Sequence, residues 1–177
     1  MHERGDVVHF SGGDALMTPI TNTQYLGPYY GHPDVTADVV SAIGGLLPKV
    51  NMLLGMAEAD GVVLLTNPAT GCHISGSGNG GFRPMACSIG AANSKHKHGH
   101  GVDIYDPHGT FAAWCYKNAD KLKALGLGME NHRWTPSWCH LQDIPPGPSG
   151  SPWRLDFVPS TEPPLCAALP EQAGVIA

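Results

Sequence analysis

Apolar residues fall at helical spacing from Asp34 onward. Val35, Val39, Val40, Ile43, Leu46 and Leu47 form one stripe, and Val50, Leu53, Leu54 and Ala57 continue it. The pattern predicts a helix with Asp34 or Thr36 as N-cap, ending near Asp60-Gly61. Gly44, Gly45 and Pro48 are expected to weaken or kink it. The stripe reads as core, not as a cofactor box. The period then shortens. VVLLT (62–66) predicts a strand, NPATG (67–71) a turn, and HISGSGNGGFRP (73–84) a glycine-rich strand or loop. After a loop over 85–95, GVDIY (101–105) predicts a buried strand, with Val102 and Ile104 alternating against Asp103 and Tyr105. DPHG (106–109) is a turn. Phe111, Trp114, Cys115, Leu122 and Leu125 predict a helix over 110–125, LGLGME leads out of it, and WTPSWCHLQ (134–142) holds a last short strand.

This order predicts an α+β fold, a small, mostly antiparallel sheet with helices packed on one side. Residues 1–33 read as an irregular arm with short β-prone pieces, VVHF and TQYL. Residues 34–146 form the expected domain, and 147–177 a Pro-rich tail without periodicity.

The chain of 177 residues is long enough for one domain with its own core. A net charge of −5 with 14% charged residues argues against a nucleic-acid partner. Five cysteines without a CxxC pair argue for reduced thiols and against a zinc–thiolate cluster. No apolar run was expected to reach the length of a membrane span, and no signal peptide is expected from MHERGDVVHFSGGD, so synthesis in the cytoplasm is the expectation.

The candidate chemistry lies in SKHKHGHGVD (94–103). Gly99 and Gly101 let the chain turn between His96 and Asp103, so that an imidazole nitrogen and a carboxylate oxygen can meet at one centre. Such a pair suits zinc, which in a catalytic site takes three protein ligands and keeps one position open. His140, between the apolar neighbours of WCHLQ, is the best third candidate. Arg83 of GGFRP can clamp a carboxylate or a polarised carbonyl, although a surface ion pair is the commoner fate of a single arginine. Glu130 offers an acid ten residues before His140, and Gln142 shares a strand face with His140 and can orient a ligand. Trp138 is expected to wall the pocket. His98 and His100 are expected at its rim, and His73 and His108 in surface turns.

These segments resemble the zinc D,D- and L,D-peptidases of peptidoglycan, especially the branch found in phage and bacterial cell-wall enzymes. Their Ser-x-His-x-x-Gly-x-(Ala/Gly)-x-Asp element is similar to Ser94 through Asp103, their Ser-Gly-aromatic-Arg-Pro element to Gly81 through Pro84, and their Trp-x-His element to Trp138 through His140. The likeness spans roughly 35–146, with the three elements in order. It implies a Hedgehog/DD-peptidase-like fold with a single zinc per chain, held by His96, Asp103 and His140. It also implies that Arg83 binds substrate or the developing oxyanion, and that Ser94 supports the first ligand by a hydrogen bond.

The family's catalytic acid, three residues before the last histidine, is missing here, because that position holds Ser137 and the alternative one Trp138. Glu130 is the expected general base, with His132 as runner-up. The implied activity is cleavage of peptidoglycan stem-peptide or cross-link amides by a monomer acting on the cell wall. A D-alanyl-D-alanine carboxypeptidase and a non-catalytic, zinc-containing wall-binding module are the alternatives.

Overall fold

The computed structural model describes residues 18–146 and 156–157. Four helices and four strands follow one another as α1 (Asn22–Leu26), α2 (Ala37–Ala59), β1 (Gly101–Tyr105), α3 (Thr110–Lys117), α4 (Ala119–Leu125), β2 (Gly128–Glu130), β3 (Trp138–Gln142) and β4 (Asp156–Phe157). The sheet order is β1-β3-β2-β4, antiparallel except for the short β2–β4 pair, and the class is α+β as expected.

The long helix forms where its period placed it. The Thr36 hydroxyl accepts from Val39 N and caps α2, and the helix runs unbroken through Pro48 to its C-cap at Asp60. Its length and composition would suit a membrane span, contrary to the expectation from the sequence, but its Val39–Ala57 stripe is buried in the core, except for Val40, which faces outward. α2 packs against α1, α4 and a 3-10 turn at Lys95–His98.

Elsewhere local context overrides pattern. VVLLT forms no strand. Val62 is tied back to Ala57 O, Val63 is exposed, and Asn67 already begins a turn, so the run never meets a sheet edge. The glycine-rich segment contributes only one bridge, Ile74 with Ile104. The helix expected over 110–125 breaks at Asn118 into α3 and α4. TQYL is helical, because Thr21 and Gln24 form a reciprocal capping box, and Tyr25 and Leu26 enter the core. The part of the arm from 18 to 33 is therefore integral to the fold, and VVHF lies outside the described residues. LGLGME carries a strand, β2, and Asp156–Phe157 of the tail pairs with it. His73 is buried and bonds Leu65 O through Nδ1, not a surface residue as expected.

The sheet has two chemically distinct faces. Val102, Ile104, Cys139, Leu141 and Met129 are at most 2% exposed and join the core. The alternate residues, Gly101, Asp103, His140 and Gln142, point the other way. The segments 73–83 and 95–100 border that polar face and leave Asp103 and His140 under 8% exposed.

Candidate metal centre

The register of β1 against β3 sets Asp103 directly opposite His140, so both side chains rise from the same face. The tight turn before β1 supplies the third group. Gly99 closes that turn at φ +78°, a conformation only glycine adopts easily, and a β-carbon there would meet Val39 O at 2.8 Å. His96 enters from this turn. Its Nε2 lies 3.2 Å from His140 Nδ1 and 3.2 Å from Asp103 Oδ1, and His140 Nδ1 lies 2.7 Å from the same oxygen.

The far atom of each group is held by the protein. His96 Nδ1–H donates to Gly81 O at 2.6 Å. His140 Nε2–H donates to Gln142 Oε1 at 3.1 Å, while the Gln142 amide N–H donates to Ile144 O and orients that oxygen. Arg83 Nη2 donates to Asp103 Oδ2 at 2.7 Å. These partners turn His96 Nε2, His140 Nδ1 and Asp103 Oδ1 toward one point, the arrangement that outer groups impose on metal ligands.

The donor set fits a divalent cation. Around a tetrahedral ion at zinc-like bond lengths, ligand atoms lie about 3.3–3.6 Å apart. Two of the three separations are close to that. The third, the 2.7 Å His140–Asp103 hydrogen bond, would have to open by about 0.6–0.9 Å. Two imidazoles and one carboxylate, all buried, can hold a metal ion, and three ligands leave a coordination position open.

Charge around the site is uneven before a metal enters. Burial lowers the pKa of His96 below the ordinary imidazole range, and the Asp103 charge offsets this only in part. Burial also works against the Asp103 carboxylate, but the two imidazoles packed against it, His96 and His140, outweigh it and hold the carboxyl well below its usual range. At His140 burial is again opposed, by the Asp103 hydrogen bond and charge, the Glu130 charge and the Gln142 bond, and the net shift is upward.

The remaining expected residues fall into place around the cluster. Met129 pairs with Leu141, and continuing that register sets Glu130 beside His140 on the polar face. Burial raises the Glu130 pKa, as does the Asp103 charge, against the opposing charges of His140 and Arg83. Trp138, half-buried, shares this face. Gln142 orients His140, as its strand position suggested.

Arg83 stands behind Asp103, with Nε on Asn79 O, so its bonds go to a ligand and a backbone carbonyl. Ser94 does not hold His96. Gly81 makes that bond, and the Ser94 hydroxyl lies instead near Gly90. His132 packs on Gly109, where a β-carbon would meet its Nε2 at 2.8 Å, and none of its bonds among the described residues reaches the cluster. His100 bonds Asp143, which also pairs with Lys49, and exposed His98 lines a neighbouring groove of ≈ 520 Å³.

The sequence placed Gly81 in the GGFRP element but assigned no role to the carbonyls of Gly80 and Gly81. Gly80 O accepts from Asp103 N at 2.7 Å, and a β-carbon on Gly80 would run into Ser75 O. The paired glycines ahead of Phe82-Arg83 were the available signal. Compared with protein-family models, curated proteins and solved structures, the chain has no significant match.

Proposed function

We propose that the chain is a zinc-dependent peptidase that hydrolyses stem-peptide or cross-link amides of peptidoglycan. The observation that carries this reading is the convergence of His96 Nε2, His140 Nδ1 and Asp103 Oδ1, each with its opposite atom held by the protein. The motif resemblance supplies the substrate class. Zinc held by these three residues would activate a water molecule and polarise the scissile carbonyl.

The protein's own groups then divide the work. Glu130, beside His140, takes the proton of the attacking water and returns it to the departing amine. Its raised pKa suits a group that must both accept and donate. Gln142 and Gly81 hold the two imidazoles in the tautomers that face the centre. Arg83 balances the Asp103 charge from behind. Trp138 walls the substrate side.

The placement of Arg83 also favours endopeptidase over carboxypeptidase action. A carboxypeptidase needs a cation for the terminal carboxylate, and Arg83, the candidate apparent in the sequence, is engaged with Asp103 and Asn79.

The test combines metal analysis with digestion of purified sacculi and of a stem pentapeptide, products identified by mass. Internal cleavage with one zinc per chain is expected, and Glu130→Gln should keep zinc while losing about 100-fold or more in turnover. Release of D-alanine alone would point to the carboxypeptidase. Zinc binding without any cleavage would leave the wall-binding module, and a chain that binds no divalent metal would refute the proposal at its base.

A further inference from the structure

The segment Gly80–Arg83 brackets the metal centre. Gly80 O takes Asp103 N, Gly81 O takes His96 Nδ1–H, Arg83 N donates to His96 O at 3.3 Å, and the Arg83 guanidinium takes Asp103 Oδ2. What holds the bracket lies far away in sequence. Tyr25 O accepts from Phe82 N at 2.9 Å, and the two backbones lie so close that a β-carbon on Gly81 would run into the Tyr25 carbonyl. The same residue reaches the other side of the centre. Its hydroxyl, in a side chain 1% exposed, donates to Gly101 O at 2.7 Å. Gly101 lies between His96 and Asp103 in the chain, and a β-carbon on it would sit 3.1 Å from His140 Cε1.

We infer that Tyr25 is a positioning residue for the metal centre, tying the Gly80–Arg83 bracket to the Gly99–Gly101 turn so that all three ligands keep their separations. The backbone of Tyr25 holds the support of His96 and Asp103, and its hydroxyl holds the strand start that faces His140. What sets this hydroxyl apart is its acceptor, a carbonyl within the segment that carries His96 and Asp103. α1 therefore belongs to the metal site, although no residue of it is a ligand. This inference rests on the metal reading above but not on the peptidase activity.

Tyr25→Phe removes the hydroxyl and keeps the ring in the core. The readouts are zinc affinity, by competition with a chromophoric chelator, and the visible absorption of the protein loaded with Co(II). The expected result is a zinc dissociation constant raised about tenfold and displaced cobalt bands. Leu122→Val, a truncation in the core packing of α4, is the comparison for lost stability alone, and its zinc affinity should stay within about twofold of the parent. Unchanged affinity and cobalt bands in Tyr25→Phe would overturn the inference, as would an equal loss in Leu122→Val. Failure of the parent protein itself to bind zinc or cobalt would instead overturn the metal reading.

Discussion

Zinc binding near pH 6.5 should release about one proton from the ligand set. The reasoning follows from the three environments. Asp103 is held well below the carboxylate range, so it is already ionised. His96 is pushed below the imidazole range by burial, so it is already neutral. Burial also opposes a charged His140, but the bond to Asp103 and the charges of Asp103 and Glu130 prevail, so His140 retains its proton to higher pH. Its Nδ1 must lose that proton to bind a cation, because Nε2–H is committed to Gln142.

The expected affinity gain is about tenfold per pH unit, or ~1.4 kcal/mol, until the His140 pKa is passed, after which it levels off. Stability of the metal-free protein runs in the opposite sense. A histidine whose folded pKa is raised stabilises fully below its unfolded value of about 6.5 and loses that contribution as pH climbs through the folded value. The gain in melting temperature on adding zinc should therefore widen as pH rises through this window. Titration calorimetry at one pH in buffers of different ionisation enthalpy counts the protons. Release of none would mean that His140 enters neutral, and release of two would mean that His96 is also charged. Either would refute the assignment.

Other changes isolate single supports. Gln142→Leu removes the Gln142 Oε1 bond that orients the His140 ring, and zinc affinity measured by chelator competition should fall about 10–100-fold. Arg83→Met strips a buried carboxylate of one of its cationic partners and should destabilise the metal-free protein by about 3 kcal/mol, a fall of ~6–12 °C in melting temperature. Zinc should restore part of that loss, because the ion then balances Asp103. Gly81→Ala drives a β-carbon into the Tyr25 carbonyl, and denaturant unfolding should show a loss of about 3 kcal/mol along with weakened zinc binding.

The cluster was legible because His96 and Asp103 occur at a spacing that two glycines make productive, and His140 stands between apolar neighbours on a strand. The long helix was legible because its period is carried by ten apolar positions. The supports of the ligands were not, because most are backbone carbonyls. Nothing in the side chains at 80 and 81 announces an acceptor for Asp103 N or for His96. β2 escaped notice because three residues are too few to show alternation, and VVLLT misled because β-propensity states only what a residue would do on a sheet. The tie at Val62 and the turn at Asn67 keep that run away from one. TQYL was misread for a related reason. Its aromatic and aliphatic residues suit a strand, but the Thr21–Gln24 box caps a helix first.

Strand register is where fold becomes site. Pairing Asp103 with His140 and Met129 with Leu141 sets Asp103, His140 and Glu130 in one row across three strands. The adjacent row is Gly101, Gln142 and Gly128, so the longest side chain of that row has glycine on both sides. That vacancy lets Gln142 turn along its own strand to His140 Nε2. A slip of β1 by one residue would exchange its two faces, burying Asp103 among Cys139, Leu141 and Met129 and turning Val102 toward the imidazoles. The apolar set on the opposite face, at most 2% exposed, therefore fixes the register that brings Asp103 and His140 together. The same alternation that builds the core decides which three donors meet.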